Sequence, residues 1–335
     1  MTTMRDLIAS LPEQLRWAAG LEPPILASAA EALVAGMGGS GIAGSIAAVV
    51  AEDSGARVSV HKSYGLPGWA ESARPLVIAV SHSGNTEETL EALEAAADHD
   101  LPVAVVATDG AAVALAAERG WPTVVVPPGP QPRAAVGYLA GGVVRCLEAA
   151  GLVPPQSAAL RESAEVVARL LGDGDGPGVA LAADLADAMD GRIAIIYGGH
   201  GVAAVAANRW KTQINENGKA PAWWSVLPEL DHNEVVGWSA LPDLTRRHVS
   251  VVFLHDHGEH PKIGARARIT RDLMEDGVPI AGEVHAQGSS VTARVFSLIA
   301  VGDLVSVAIA ERAGVDPMPV SVIEDLKRRL AVEET

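Results

Sequence analysis

Ser81, Ser83, Thr86 and Thr89 place four hydroxyls within nine residues, where an apolar run gives way to a helical pattern. The run LVIAV at 76–80 is of the kind buried on both faces of a parallel sheet. Behind it, Leu90, Leu93 and Ala97 share one helical face, while Glu87, Glu88, Glu91 and Glu94 lie elsewhere. A strand that ends in small hydroxyl residues and Gly84, then opens a helix, gathers bare backbone N–H groups and O–H donors at one point. That is a seat for a phosphate or carboxylate, assisted by the positive end of the helix dipole. One Ser or Thr suffices to cap a helix. The surplus of hydroxyls favours the anion site.

A second group lies in NENGKAPAWWSVLPELDHNEVVGW, residues 215–238. Glu216 closes a helical pattern that begins near Gly201, where the dipole disfavours an acid. Its neighbours Asn215 and Asn217 could orient it, and an ordinary solvated acid is the competing reading. Asp231, His232, Asn233 and Glu234 look like the capped start of a short helix, with Asp231 as the cap. Spacing alone leaves His232 open between an exposed residue and a functional one. Arg133 follows Pro132 at an expected helix start, where a cation is unfavourable, so a ligand explains it better than helix stability does. Lys327 in LKRRL is open to explanation as a helix-end complement. The cluster His255, Asp256, His257, Glu259 and His260 has neither tetrahedral zinc spacing nor two ligands one helical turn apart. It reads as a polar loop, and no metal or other cofactor is expected.

These residues need a scaffold, and strands alternating with helices provide one. Residues 1–30 read as helical with a break at Pro12, and a strand follows at 33–37. A glycine turn, Gly38, Gly39, Ser40 and Gly41, then leads into a helix at 42–51. The glycines do not have dinucleotide spacing, and the next strand, 58–61, closes with His61 and Lys62 rather than an acid for a ribose. Strands follow at 76–80, 103–108 and 123–126, and a long helix takes Pro132 into its first turn. The pattern predicts an α/β, doubly wound parallel sheet with ligands beyond the carboxyl ends of its strands. After the linker GDGDGPG at 172–178 the logic restarts: RIAIIYGGHGVAAVAANRWK parallels EALVAGMGGSGIAGSIAAVV, with His200 in place of Ser40. Strands at 223–227, 249–254 and 278–283 and a helix at 290–312 complete the expected second copy. The expected organisation is a helical segment at 1–30, one domain at 31–152 and a second at 153–335. The second copy has no SHSGNT equivalent, so one lobe binds the anion and the other contributes chemistry.

A chain of 335 residues with 49% hydrophobic and 20% charged residues is globular and long enough for two cores. No continuous apolar run reaches the roughly 18 residues of a membrane span, and the N-terminus lacks a signal peptide's apolar core. The lone Cys146 sits in an apolar helical pattern, as a core residue would, and rules out an internal disulfide. Together these point to the cytoplasm. A net charge of −16 argues against nucleic acid. It does not bar an anionic substrate, because charges are screened over about 8 Å at physiological salt and local groups decide what a pocket accepts.

MGGSGIAGS, SHSGNTEET, PRAAVGYL, RWKTQINENGK, LDHNEVVGW and DPMPVSVIEDLKRRL, in this order from about residue 35 to 330, resemble the bifunctional phosphoglucose/phosphomannose isomerases. These are proteins with two sugar-isomerase (SIS) domains, each a flavodoxin-like doubly wound sheet. The resemblance implies that Glu216 moves a proton between C1 and C2 and that Arg133 stabilises the enediol(ate). It implies that His232 opens the sugar ring from the neighbouring subunit of a homodimer, and that Lys327 assists at the ring oxygen or a hydroxyl. Gly39, Ser40, Ser81, Ser83 and Thr86 would hold the 6-phosphate of a hexose. The implied partners are hexose 6-phosphates, without nucleic acid, membrane or metal. A non-catalytic sugar-phosphate sensor, or an isomerase of another sugar phosphate, are the alternatives. His82, Gly218 and Met318 depart from the family's usual pattern.

Overall fold

The computed structural model describes residues 2–129 and 131–333. Met1, at the start of the expected helical segment, Pro130, and Glu334 and Thr335 of the expected second domain lie outside the described residues. Nine strands fall into two all-parallel sheets among the described residues. The first holds β1 (Glu31–Ala35), β2 (Arg57–His61), β3 (Leu76–Ser81), β4 (Val103–Ala107) and β5 (Thr123–Val125), in spatial order β2-β1-β3-β4-β5. The second holds β6 (Ile193–Gly199), β7 (Ala222–Leu227), β8 (Val249–His255) and β9 (Ile280–His285), in order β7-β6-β8-β9. The second sheet repeats the first four strands of the first in the same spatial order and lacks a fifth. That repetition is what an internal duplication predicts, and the order of the first sheet is the flavodoxin-like one.

Sequence patterning explains the central strands. Every residue of β3 and β4 is buried, because helices cover both faces of the sheet. Apolar residues from both halves, among them Leu15, Val34, Leu147, Trp210, Val252 and Phe296, join in one continuous core. Through its middle runs the helix Val291–Ala313, 23 residues long. It is long and apolar enough to span a membrane by composition, yet 89% of its most apolar stretch is buried inside the protein. The expected helix at 290–312 matches it within a residue at each end.

Other expectations change in detail. The N-terminal helices end at Gly20, and residues 21–30, with Pro23 and Pro24, run without helix to β1. Pro132 starts a separate 3-10 turn, Pro132–Ala134, ahead of the helix Val136–Ala149. Asp231 is no cap: Asn233 accepts from the Glu234 backbone, while Asp231 accepts from Arg266 and Thr270. Its carboxylate is drawn to a nearby guanidinium that local sequence does not show.

The helix Val202–Glu216 crosses Val291–Ala313 at close quarters. Trp210 is fully buried and donates from its indole nitrogen to the Leu298 carbonyl at 2.8 Å. Its ring lies so near Gly302 that a Cβ there would come within 2.1 Å. The contact permits the approach that sets the residues of the two helices against each other. Gly302→Ala should therefore lower unfolding free energy by about 1–3 kcal/mol, the usual cost of overpacking, as read from urea denaturation.

Candidate active site

The hydroxyl turn forms at the carboxyl end of β3. Ser81 and Thr86 hydroxyls lie 2.9 Å apart, closing the turn across its mouth. Gly84 has φ +67, and a Cβ on it would sit 1.6 Å from the Asp109 carbonyl, so only glycine fits. The Asn85 side chain accepts from the Ala111 backbone at 2.9 Å and donates to the Ser83 carbonyl at 3.1 Å, fastening the turn to the next one. His82 is buried, its Nε2 has no hydrogen-bond partner, and burial pushes its imidazole below the usual range. A neutral ring there adds no charge to the turn at neutral pH.

Beside this turn, Gly38 opens the helix Gly38–Asp53. A Cβ on Gly39 would lie 3.2 Å from the Arg133 Cα and 3.3 Å from the Pro132 carbonyl, so the glycine turn and the Arg133 turn rest directly on each other. Ser40 is buried at the same place. Lys62 passes close to Gly41, donates to Ser45 at 3.1 Å, and burial pulls its amine below the ordinary value.

Arg133 is 4% exposed and spends its donors on fixed acceptors. Nε donates to Asn217 Oδ1 at 2.7 Å and Nη1 to Gln131 Oε1 at 2.7 Å. Nη2 donates to the carbonyls of Pro317 at 2.7 Å and Met318 at 2.9 Å. Glu216 Oε2 stands 3.8 Å from Nη1, close enough for attraction and beyond a hydrogen bond. Burial lowers the Arg133 pKa, Glu216 opposes that shift and Arg209 adds to it. A guanidinium stays charged at neutral pH regardless.

Behind Arg133 lies a closed ring of bonds. Asn217 Nδ2 donates to Ser306 Oγ at 3.0 Å, and that hydroxyl donates to the Asp303 carbonyl at 2.6 Å. The Asp303 carboxylate takes two bonds from Arg209, at 3.0 and 2.7 Å, and Arg209 donates to the Arg133 carbonyl at 2.9 Å. The amides around Glu216 thus serve other partners than Glu216: Asn217 holds Arg133, and Asn215 holds the Ala220 carbonyl.

Glu216 ends its helix, and its side chain is 28% exposed on a cavity of about 370 Å³ bordered by Lys219 and residues 319–323. Lys219 donates to the backbone carbonyls of Glu216 and Pro319. Its amine is lowered by burial and by Arg133, with Asp316 and Glu216 opposing. Lys327, on the C-terminal helix Ser321–Glu333, borders a smaller cavity of about 260 Å³ together with Asn85 and Thr86. His232 is exposed on the 3-10 turn Glu229–His232. Among the described residues, no hydrogen bond or ion pair joins it to Glu216 or Arg133. The structure therefore brings Gly39, Arg133 and Glu216 together, pairs Ser81 with Thr86, and sets Lys327 beside Thr86.

Sequence reasoning passed over Lys219, Asp303 and Ser306, gave Lys62 no role at the site, and set Asn217 against Glu216 where the structure sets it against Arg133. The flanking amide at Asn217 was the one available signal; Asp303 and Ser306 lie in an apolar helical pattern that gives none. Met318 meets Arg133 and Gln131 through its carbonyl, so the side chain there is free of that duty.

Two parallel sheets in matching strand order, the first with glycine and hydroxyl turns at its strand ends, define the class. Residues 179–330 match the family model described as the bacterial phospho-glucose isomerase C-terminal SIS domain. A tagatose-6-phosphate ketose/aldose isomerase from Escherichia coli superposes with a TM-score of 0.68 over 94% of each chain at 17% identity, which shows a shared fold. The chain belongs to the bifunctional phosphoglucose/phosphomannose isomerase family. It is 35% identical to the member from Caldicellulosiruptor bescii over 98% of this chain and 99% of that one. The member from Aquifex aeolicus is 35% identical over 88% of each.

Asp303 is a buried carboxylate facing a buried guanidinium, and removing one partner strands the other. Asp303→Ala is expected to cost about 3–5 kcal/mol, and the Arg209→Met, Asp303→Leu double variant much less, both measured by denaturant unfolding.

Proposed function

We propose that this protein interconverts glucose 6-phosphate and mannose 6-phosphate with fructose 6-phosphate through a cis-enediol(ate). The observation that carries the reading is the Glu216 carboxylate, 3.8 Å from the buried Arg133 guanidinium, which itself rests on the Gly39 turn. Moving a carbonyl between C1 and C2 requires a base for a weakly acidic C–H and a cation for the oxyanion that develops. Glu216 serves as the base, a contribution on the order of 10²–10⁴-fold. Arg133 stabilises the enediolate as a fixed charge that need not reorganise, so the chemistry calls for no metal. Rotation about C2–C3 of the intermediate lets one site serve both C2 epimers.

Gly39, Ser40, Ser81, Ser83 and Thr86 hold the 6-phosphate, which fixes the reacting carbons relative to the base. Lys327 acts beside Thr86 at the ring oxygen or a hydroxyl. His232, exposed on its turn, acts in ring opening across the interface of a homodimer. The domains run 31–152 and 153–335 behind the segment 1–30, an assignment supported by one sheet falling within each interval. The enzyme works in the cytoplasm.

A coupled assay with both aldose phosphates, run with EDTA present, tests the reading. Wild type is expected to turn over both. Glu216→Gln should lose both activities together by about 10²–10⁴-fold while still binding fructose 6-phosphate. Binding without turnover in wild type would instead leave a sugar-phosphate sensor. Asn217→Ala, which frees Arg133, should lower kcat by up to about 100-fold with little change in KM, as steady-state kinetics would show.

A further inference from the structure

The carboxyl edge of the second sheet carries a cluster that the reaction does not use. β8 ends at His255 and β9 at His285, and the parallel register sets these two residues side by side. Alternation along β9 puts Glu283 on the same face as His285. The imidazoles of His255 and His285 stack with centroids 4.6 Å apart and planes 16° from parallel. His255 Nε2 lies 3.0 Å from Glu283 Oε2. One donor atom from each of the three falls within 4.8 Å of the others. They border a cavity of about 360 Å³ whose wall includes Asp256, Glu259, Arg268 and Arg271.

Ion pairing accounts for only part of this arrangement. His255 Nε2 is buried and pairs with Glu283 Oε2, and that pair leaves the stacking of the His285 imidazole on His255 unexplained. Glu259 Oε2 is buried and unbonded; it lies over Gly199, where a Cβ would come within 2.1 Å. Arg271 donates to Oε1 of Glu283, which fixes the carboxylate with Oε2 directed at His255. Arg268 and Arg271 on the wall oppose a cation; Asp256 is already paired with Arg294 at 2.8 Å, and burial and Asp256 push the Glu259 carboxyl up to about 7, so Glu283 is the carboxylate that offsets them. Two imidazoles with one carboxylate suit a first-row transition ion, whereas Mg²⁺ and Ca²⁺ take oxygen ligands. Donors around a tetrahedral zinc with bonds of about 2.1 Å lie about 3.4 Å apart. The donors here lie within 4.8 Å of one another, so binding an ion requires the set to contract toward that spacing.

We propose that His255, Glu283 and His285 bind one divalent first-row transition ion, for which Zn²⁺ is the probe, and that the ion ties the edge strand β9 to β8. The expectation of a polar loop considered the run from His255 to His260 and not the ligands that β9 supplies. The site is remote from Glu216. The helix Val202–Glu216 leaves the same carboxyl edge and carries Glu216 to its far end, about 22 Å away at 1.5 Å per residue.

The full-length protein, freed of metal with EDTA and dialysed, is titrated with ZnCl₂ against a chromophoric chelator. One equivalent is expected to bind, Zn²⁺ is expected to raise the melting temperature, and Co²⁺ is expected to give a visible ligand-field band. His255→Gln with His285→Gln should weaken binding on the order of 100-fold or more and abolish both the melting shift and the band. If circular dichroism shows that the double variant fails to fold, His285→Gln alone, at an exposed strand end, carries the comparison. Undiminished Zn²⁺ affinity in the folded variant would show adventitious binding and overturn the proposal. So would the absence of stoichiometric binding by wild type, which would leave a plain histidine–carboxylate pair.

Discussion

A buried positive charge must be held in place and never left alone, and most of the architecture around the site answers to that constraint. Taking a guanidinium out of water costs several kcal/mol unless its donors are satisfied. Arg133 meets the demand with four close acceptors drawn from three separate segments of chain: Gln131, Asn217, and the carbonyls of Pro317 and Met318. Glu216 stands just outside that shell. The guanidinium is thus fully held, while the carboxylate keeps an exposed face toward the cavity.

The ring through Asn217, Ser306, Asp303 and Arg209 explains why the site spans two lobes. Arg133 belongs to the first half of the chain, and Arg209, Asn217, Asp303 and Ser306 to the second. Each helps satisfy another, and the link back to the Arg133 carbonyl closes the set. Such a network is rigid only when complete, since every missing member leaves a buried polar group without a partner. The contact of Trp210 with Gly302 sets the helix spacing that the ring requires. The two sheets therefore share one apolar core and one polar joint, with Arg133 and Glu216 at the joint.

The two halves have diverged at their strand ends. The first keeps the hydroxyl turn after β3. At the matching place after β8 the second has His255, with β9 adding Glu283 and His285. Both are clusters of polar side chains at the carboxyl edge of a parallel sheet, where strand ends and helix starts leave a crevice. The duplicated scaffold thus carries different donor chemistry in each lobe, soft enough for a transition ion in one and suited to an anion in the other.

The order of strands and helices, the duplication and the hydroxyl turn were legible in the sequence, because hydrophobic periodicity and glycine placement are local properties. Leu76–Ser81 and Val103–Ala107 read as buried strands from their apolar runs alone, and Gly84 marked a turn that no side chain would fit. Local pattern misassigned Asp231 as a cap, since a nearby cap and a distant guanidinium compete for the same carboxylate. Arg133, Glu216, Ser81 and Thr86 were visible as residue types out of place. That Arg133 meets Asn217 and Glu216, and that His255 meets His285, was decided by the tertiary structure. Those partners lie tens of residues apart, and their approach depends on how helices and strands pack, which periodicity does not encode.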